Sequence, residues 1–414
     1  MRNINKWFGV FVCLSILVTT AFVFGSGFEK NQRLNHRSVS MEHLFHPYLS
    51  GGSPLAAEMR KVKLNTLREQ NGHAVAAHNF SKQKTGDELR LVPGGQSIGV
   101  KIKTRGVLVV GYHLINSNRG QASPGESAGI QIGDIITKIN GRQMSSITDV
   151  RQIIDRASAQ KKMQVDLIRR HTILKKQLMP VKGKDEGRFQ IGLYIRDSAS
   201  GIGTMTFYDP KSNAYGALGH TISDRDTGQP VPVKNGQIVR SMVQAIQRGA
   251  EGNPGEKIAF FPDHAQQIGT INRNTAFGIY GYLQNNDLMY QNRRMQALPV
   301  AKPDQVHEGA AQILTVLNGS RVEAFDVRIL NAVSQKNPET KGIVIKITDP
   351  RLLQVTGGII QGMSGSPIIQ DGRLVGAVTH VFVNDPTCGY GVHIKWMLHE
   401  AGIQQSRITE ESAS

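Results

Sequence analysis

Cysteine is nearly absent: Cys13 and Cys388 are the two in 414 residues. The first lies in an apolar N-terminal run and the second in a C-terminal loop-like segment, so neither a disulfide framework nor a cysteine-based zinc site is expected. Stability must then come from packed cores, and an exported chain without disulfides fits a bacterial setting. Aromatic residues are sparse, at 6%. A single-strand nucleic-acid surface needs stacking aromatics interleaved with basic residues. Here 49 Lys and Arg against 32 Asp and Glu give a formal charge of +17, but the basic residues are spread along the chain. That distribution excludes nucleic acid as the expected partner and favours attraction to an anionic membrane surface. The densest basic piece, "KKMQVDLIRRHTILKKQLMPVKGK", alternates apolar and basic residues as the exposed face of a β-hairpin does. Metalloprotease spacing is missing too. No HExxH occurs, and the "HE" at His399 and Glu400 lacks a histidine three residues on, so neither metal nor cofactor is expected.

Long hydrophobic runs are also scarce, and the one that exists is N-terminal. Residues 7–28 are uncharged and follow Arg2 and Lys6. At about 1.5 Å per residue the run crosses a hydrocarbon layer of ~30 Å, and it has no clear small-x-small cleavage site. It reads as a signal anchor or transmembrane helix over 1–28, with the rest of the chain extracytoplasmic. Residues 29–88 are polar and aperiodic, a stalk or linker. From there the composition is that of a β-rich protein with 44 glycines. Between 89 and 182 the order is strands, one helix, strands. In "SSITDVRQIIDRASAQ", Ser146 and Asp149 stand at capping-box spacing, and Ile147, Val150, Ile153, Ile154 and Ala157 share a helical face. From 187 to 414 short strands follow one another, with hairpin signals at Asn318-Gly319 and Asp371-Gly372, which predicts an all-β barrel domain.

The chemistry-bearing stretch is "QGMSGSPIIQDGRLVGAVTH". Acyl transfer by serine needs a base, a group that orients it, and N–H donors aimed at the developing oxyanion. Ser364 stands in a small-residue turn, and a flexible Gly362 lets its own N–H and that of Ser364 converge as the oxyanion donors. The layout resembles the C-terminal end of a chymotrypsin-like peptidase. That resemblance implies a specificity pocket bordered by Thr379, His380 and Val381 with Gly358 at its floor, and so a preference for small or medium apolar side chains. It also implies a base preceding the serine, which "YGALGHTISD" supplies as His220. For the orienting acid, Asp349 in "VIKITDPRLL" is the candidate, with Asp224 and Asp226 as alternatives. Met363 replaces the aspartate through which a buried new N-terminus activates many such enzymes, so that latch is absent.

Two further resemblances add to this reading. "GGQSIGVKI" and "SPGESAGIQIGDIITKINGR" are similar to a PDZ domain of bacterial proteases; this implies a peptide-binding loop at Ser97, Ile98, Gly99 and Val100 that takes an extended peptide by strand addition. Together with "RFQIGLYIRDSASGIGTMTFYDP", "GTINRNTAFGIYG" and the serine segment, the chain resembles the stage IV sporulation protein B family of signalling serine peptidases. That resemblance implies His220, Asp349 and Ser364 as the catalytic set. It further implies release into the space between forespore and mother-cell membranes, self-processing, and cleavage of a membrane-bound regulator of an intramembrane metalloprotease. The alternative is a PDZ scaffold whose barrel has lost activity.

Overall fold

The computed structural model describes residues 88–118, 120–158, 160–261, 265–284 and 296–403. The expected membrane segment and the stalk up to residue 87 lie outside the described residues. No helix among those described is long and apolar enough to cross a membrane.

Two 16-residue strands, β1 (Ser97–Tyr112) and later β2 (Leu193–Tyr208), organise the first half of the protein. They run antiparallel from Tyr112 opposite Leu193 to Ser97 opposite Thr204, with register shifts between Tyr194 and Ile195 and between Arg196 and Ser198. Residues 107–112 of β1 belong to a small α/β unit. There β1 pairs with Ile135–Ile139, which pairs with Met163–Arg169, which forms a hairpin with Thr172–Leu178. Helix α1 (Ile147–Ile154) closes this unit. Ser146 Oγ accepts the N–H of Asp149 at 3.1 Å, while the Asp149 carboxylate takes the N–H and hydroxyl of Ser145, one residue outside the expected box. Val150 then points into a core with Val107, Val109, Ile136, Ile139 and Leu167.

The other half of β1 belongs to a different core. Residues 97–103 lie between β2 and β3 (Val233–Arg240), and Ile98, Val100 and Ile102 pack with Met205, Tyr215, Ile238, Ile268 and Ile279. The change of core coincides with an irregularity in the ladder opposite Asp197. Thr104 Oγ1 donates there to the carbonyl of Asp197 at 3.1 Å, and Gly106 has a positive φ of 101°. The small unit is therefore inserted into a hairpin of the first β lobe. This corrects the expected 89–182 boundary, because residues 90–103 belong to the first β lobe and residues 193–196 are needed to complete the small unit.

A hairpin of β4 (Met242–Gln247) and β5 (Glu256–Phe260) leads to the second lobe, a barrel. That barrel is closed and comprises β6 (Gly309–Val316), β7 (Val322–Ala332), β8 (Ile343–Ile347), β9 (Pro367–Gln370), β10 (Arg373–Phe382) and β11 (Asp385–His393), in the order β6-β7-β8-β11-β10-β9. Both predicted hairpins form: Val316 opposes Val322 across Asn318-Gly319, and Gln370 opposes Arg373 across Asp371-Gly372. Asp371 and Gly372 have φ of 50° and 71°, as a two-residue hairpin turn requires. Ile313, Phe325, Ile329, Ile345, Leu352 and Ile368 fill the barrel; burying each stabilises the fold by about 1.5–3 kcal/mol. Helix α2 (Pro350–Thr356) follows β8. Helix α3 (Ile394–Ala401) is the last helix described and lays Trp396 and Met397 against Leu91, Phe207, Tyr280 and Leu374, joining the two lobes.

Candidate active site

Ser364 sits between two left-handed glycines, Gly362 at φ 89° and Gly365 at φ 93°. Strand β2 grips this turn from the first lobe. Thr204 Oγ1 donates to the Gly362 carbonyl at 2.7 Å, Thr204 N–H to the Ser364 carbonyl at 3.0 Å, and Thr206 Oγ1 to the Gly365 carbonyl at 2.8 Å. Both threonines are completely buried, so these bonds hold without competition from water. A Cβ on residue 365 would lie 2.1 Å from the Thr204 carbonyl oxygen, which restricts that position to glycine. Ser364 is half-buried and its Oγ donates to the Thr379 carbonyl at 3.0 Å. Ser366, by contrast, is fully buried and its hydroxyl has no partner. The N–H groups of Gly362 and Ser364 meet no acceptor among the described residues, while that of Met363 between them is bound to the Ile360 carbonyl.

His220 arrives from the first lobe by a similar device. Strand Ala214–Ala217 ends in Leu218 and Gly219, with φ of 71° and 72°. Leu218 N–H donates to the Thr204 carbonyl, and Gly219 packs on Thr379. The histidine turn and the serine turn thus share Thr204 and Thr379 as neighbours. His220 is 5% exposed, and its Nδ1 lies 2.8 Å from the Thr221 carbonyl. A carbonyl only accepts, so Nδ1 carries the proton and Nε2 the lone pair, the tautomer a general base requires. Burial lowers the His220 pKa, against the opposing pull of the Thr221 carbonyl. The ring of His380 lies 5.3 Å away between centroids, its Nδ1 buried and unpartnered. Burial, then the proximity of His220 and Lys341, pushes His380 down to about 3.

None of the three candidate acids is bonded to His220. Asp349 is the N-cap of α2, and its carboxylate accepts the N–H groups of Arg351 and Leu352 at 2.8 and 3.2 Å. Burial would raise its pKa, but the bonds from Leu352 and Arg351 outweigh it and the net shift is downward. Asp224 and Asp226 both pair with Arg196, at 2.5 and 2.6 Å, and Asp224 also organises its own turn through Thr227. The Thr221 carbonyl is the acceptor that faces Nδ1 of His220.

The peptide loop expected at Ser97, Ile98, Gly99 and Val100 is corrected as well. These residues form the middle of a sheet: Gly99 is opposed by Ile202 on one side and Val239 on the other, and Val100 by Gly201 and Ile238. Ile98 and Val100 are core residues of the first lobe. With both edges occupied, this strand has no hydrogen-bonding groups to offer a peptide. Thr204 and Thr206 escaped the sequence reading, since threonine in a strand looks like any other β-former.

A serine turn and a histidine turn both held by one strand, with Thr204 bonded to each, suit a serine peptidase. The model described as SpoIVB peptidase S55 matches residues 187–398, and a PDZ domain model matches residues 117–169. The chain belongs to the SpoIVB peptidase S55 family and carries a PDZ domain. No curated protein matches it. Among solved structures, the PDZ domain of an SdrC-like protein from Listeria monocytogenes is 16% identical, covering 23% of this chain and 90% of its own at a TM-score of 0.19. The active form of the Rv3671c protease from M. tuberculosis is 14% identical, covering 50% and 76% at a TM-score of 0.27.

Proposed function

We propose that this serine peptidase is an exported endopeptidase in which Ser364 is the nucleophile and His220 the general base, and that it processes itself and cuts a membrane-bound regulatory protein in sporulation signalling. The supporting observation is the shared grip of β2 on both turns, which brings an accessible hydroxyl and an imidazole of the required tautomer to the same pair of neighbours. Nε2 of His220 takes the hydroxyl proton as Oγ bonds to the substrate carbonyl carbon. The C–N bond then breaks, the amine leaves with that proton, and water resolves the ester. The N–H groups of Gly362 and Ser364 are the donors to the oxyanion.

The PDZ peptide site in this reading lies along residues 193–196 of β2. Among the described residues that stretch pairs with β1 on one edge only, and α1 flanks it, with Ile147 N–H held by the Asp197 carboxylate at 2.8 Å. An added strand fits between them. An N-terminal anchor and a stalk explain self-processing: tethering raises the local concentration of a cut site to the order of mM.

The test is expression in membranes of wild type, Ser364→Ala and Ser366→Ala, with a serine-directed phosphonate as a probe. Wild type and Ser366→Ala are expected to label at residue 364 and to yield a soluble form beginning within residues 29–88. Ser364→Ala should lose label and turnover by about 10⁴- to 10⁶-fold and stay full length. Label absent from wild type would leave the scaffold reading; identical processing of wild type and Ser364→Ala would assign the stalk cut to another enzyme.

A further inference from the structure

Directly behind the oxyanion loop lies a buried amine that the reaction above does not use. Lys257, on β5, is 4% exposed and forms no ion pair among the described residues. Its Nζ donates to Thr315 Oγ1 on β6 at 2.6 Å, and Thr315 is itself completely buried. Burying an unpaired amine is costly, and here burial lowers the lysine pKa to about 7. A buried hydrophobic side chain would fill the same space without that cost, so the amine has to be explained by what it holds.

It holds the loop. The main chain of β5 clamps Gln361 on both sides, with Gln361 N–H donating to the Gly255 carbonyl at 2.8 Å and Lys257 N–H to the Gln361 carbonyl at 3.0 Å. The next residue is Gly362. A Cβ placed there would lie 3.1–3.3 Å from Cβ, Cγ and Cδ of Lys257, so the lysine stem runs across the glycine as a backing plate. The β4–β5 hairpin is attached to the second barrel by few ladder contacts, a bridge of Val243 to Gly319 and one of Glu256 to Gln361. The Nζ–Thr315 bond therefore pins the far end of the stem to the barrel wall.

We propose that Lys257 is a positioning residue of the peptidase site, whose amine, anchored on Thr315, fixes the stem that backs Gly362 and so aims the Gly362 N–H at the substrate carbonyl. It supplies by an internal side chain a support for the oxyanion loop in an enzyme whose Met363 rules out the aspartate latch. The inference rests on Ser364 being the nucleophile.

Lys257→Met keeps the stem and removes the amine; Thr315→Val removes the other partner. In the purified enzyme, each is expected to lower kcat and the rate of phosphonate labelling by about 10- to 100-fold, part of the 10²- to 10³-fold cost of losing an oxyanion donor outright. KM should stay within about threefold, because substrate binding in the ground state does not use the oxyanion donors. The thermal midpoint of Lys257→Met should hold or rise, since a buried amine is gone. Normal kcat in both folded variants overturns the proposal, as does a fall in kcat matched by a collapse of the midpoint in both, which would make the bond structural. If wild type itself fails to label at Ser364, the nucleophile assignment has failed instead.

Discussion

Asp349 accepts two main-chain hydrogen bonds at the start of α2, and asparagine caps a helix about as well as aspartate. Asp349→Asn is therefore expected to leave the unfolding midpoint nearly unchanged and kcat within about threefold, while Asp349→Ala loses about 0.5–2 kcal/mol of stability in urea titrations. A folded Asp349→Asn that has lost turnover by three orders of magnitude would show that the carboxylate reaches His220 during the reaction. The facing imidazoles carry a second prediction. Folding holds His220 and His380 below the usual 6.5, His380 at about 3, so as pH falls through that interval the unfolded chain takes up protons that the folded chain refuses. Their contribution to stability is complete above pH 6.5 and is lost on acidification. Urea midpoints at pH 7.5 and 5 should separate widely in wild type and less in His380→Phe; equal separation would remove His380 from the account. At this scale the turns that carry Ser364 and His220 are legible, because left-handed glycines mark both. It was ambiguous about Asp349, because an aspartate before proline at a strand end suits a helix cap and a triad equally.

Strands β1 and β2 each serve two cores, and this is where local pattern was least informative. "SIGV" alternates apolar and small residues, which describes a peptide-binding loop and an interior strand alike; only its neighbours on both edges distinguish them. The Asn-Gly and Asp-Gly hairpins were legible because their turns need positive φ, a demand written in the two residues themselves. The insertion gives a clear expectation for dissection. A fragment spanning 105–198 contains the whole small core and its closing strand, whereas 89–182 lacks residues 193–196 and carries a strand whose partners are elsewhere. Amide spectra should be dispersed for the first and collapsed for the second; the reverse would reinstate the sequence boundary.

For the molecule as a whole, the mainly β character and the order of PDZ before peptidase followed from composition and motif order. The interleaving did not, since nothing in a linear pattern reveals that a domain interrupts a strand pair of its neighbour. That interruption bears on how the protein is born. Residue 103 leaves the ribosome about 95 residues before its partner, residue 198. The first lobe cannot close its first ladder until the PDZ segment has been made, and closing so long a loop in a disordered chain is slow. A PDZ unit that folds first brings the two strand ends together in register, so that the ladder continues from a seed already formed. A domain that folds in this order acts, once per chain, as the nascent enzyme's own assembly jig.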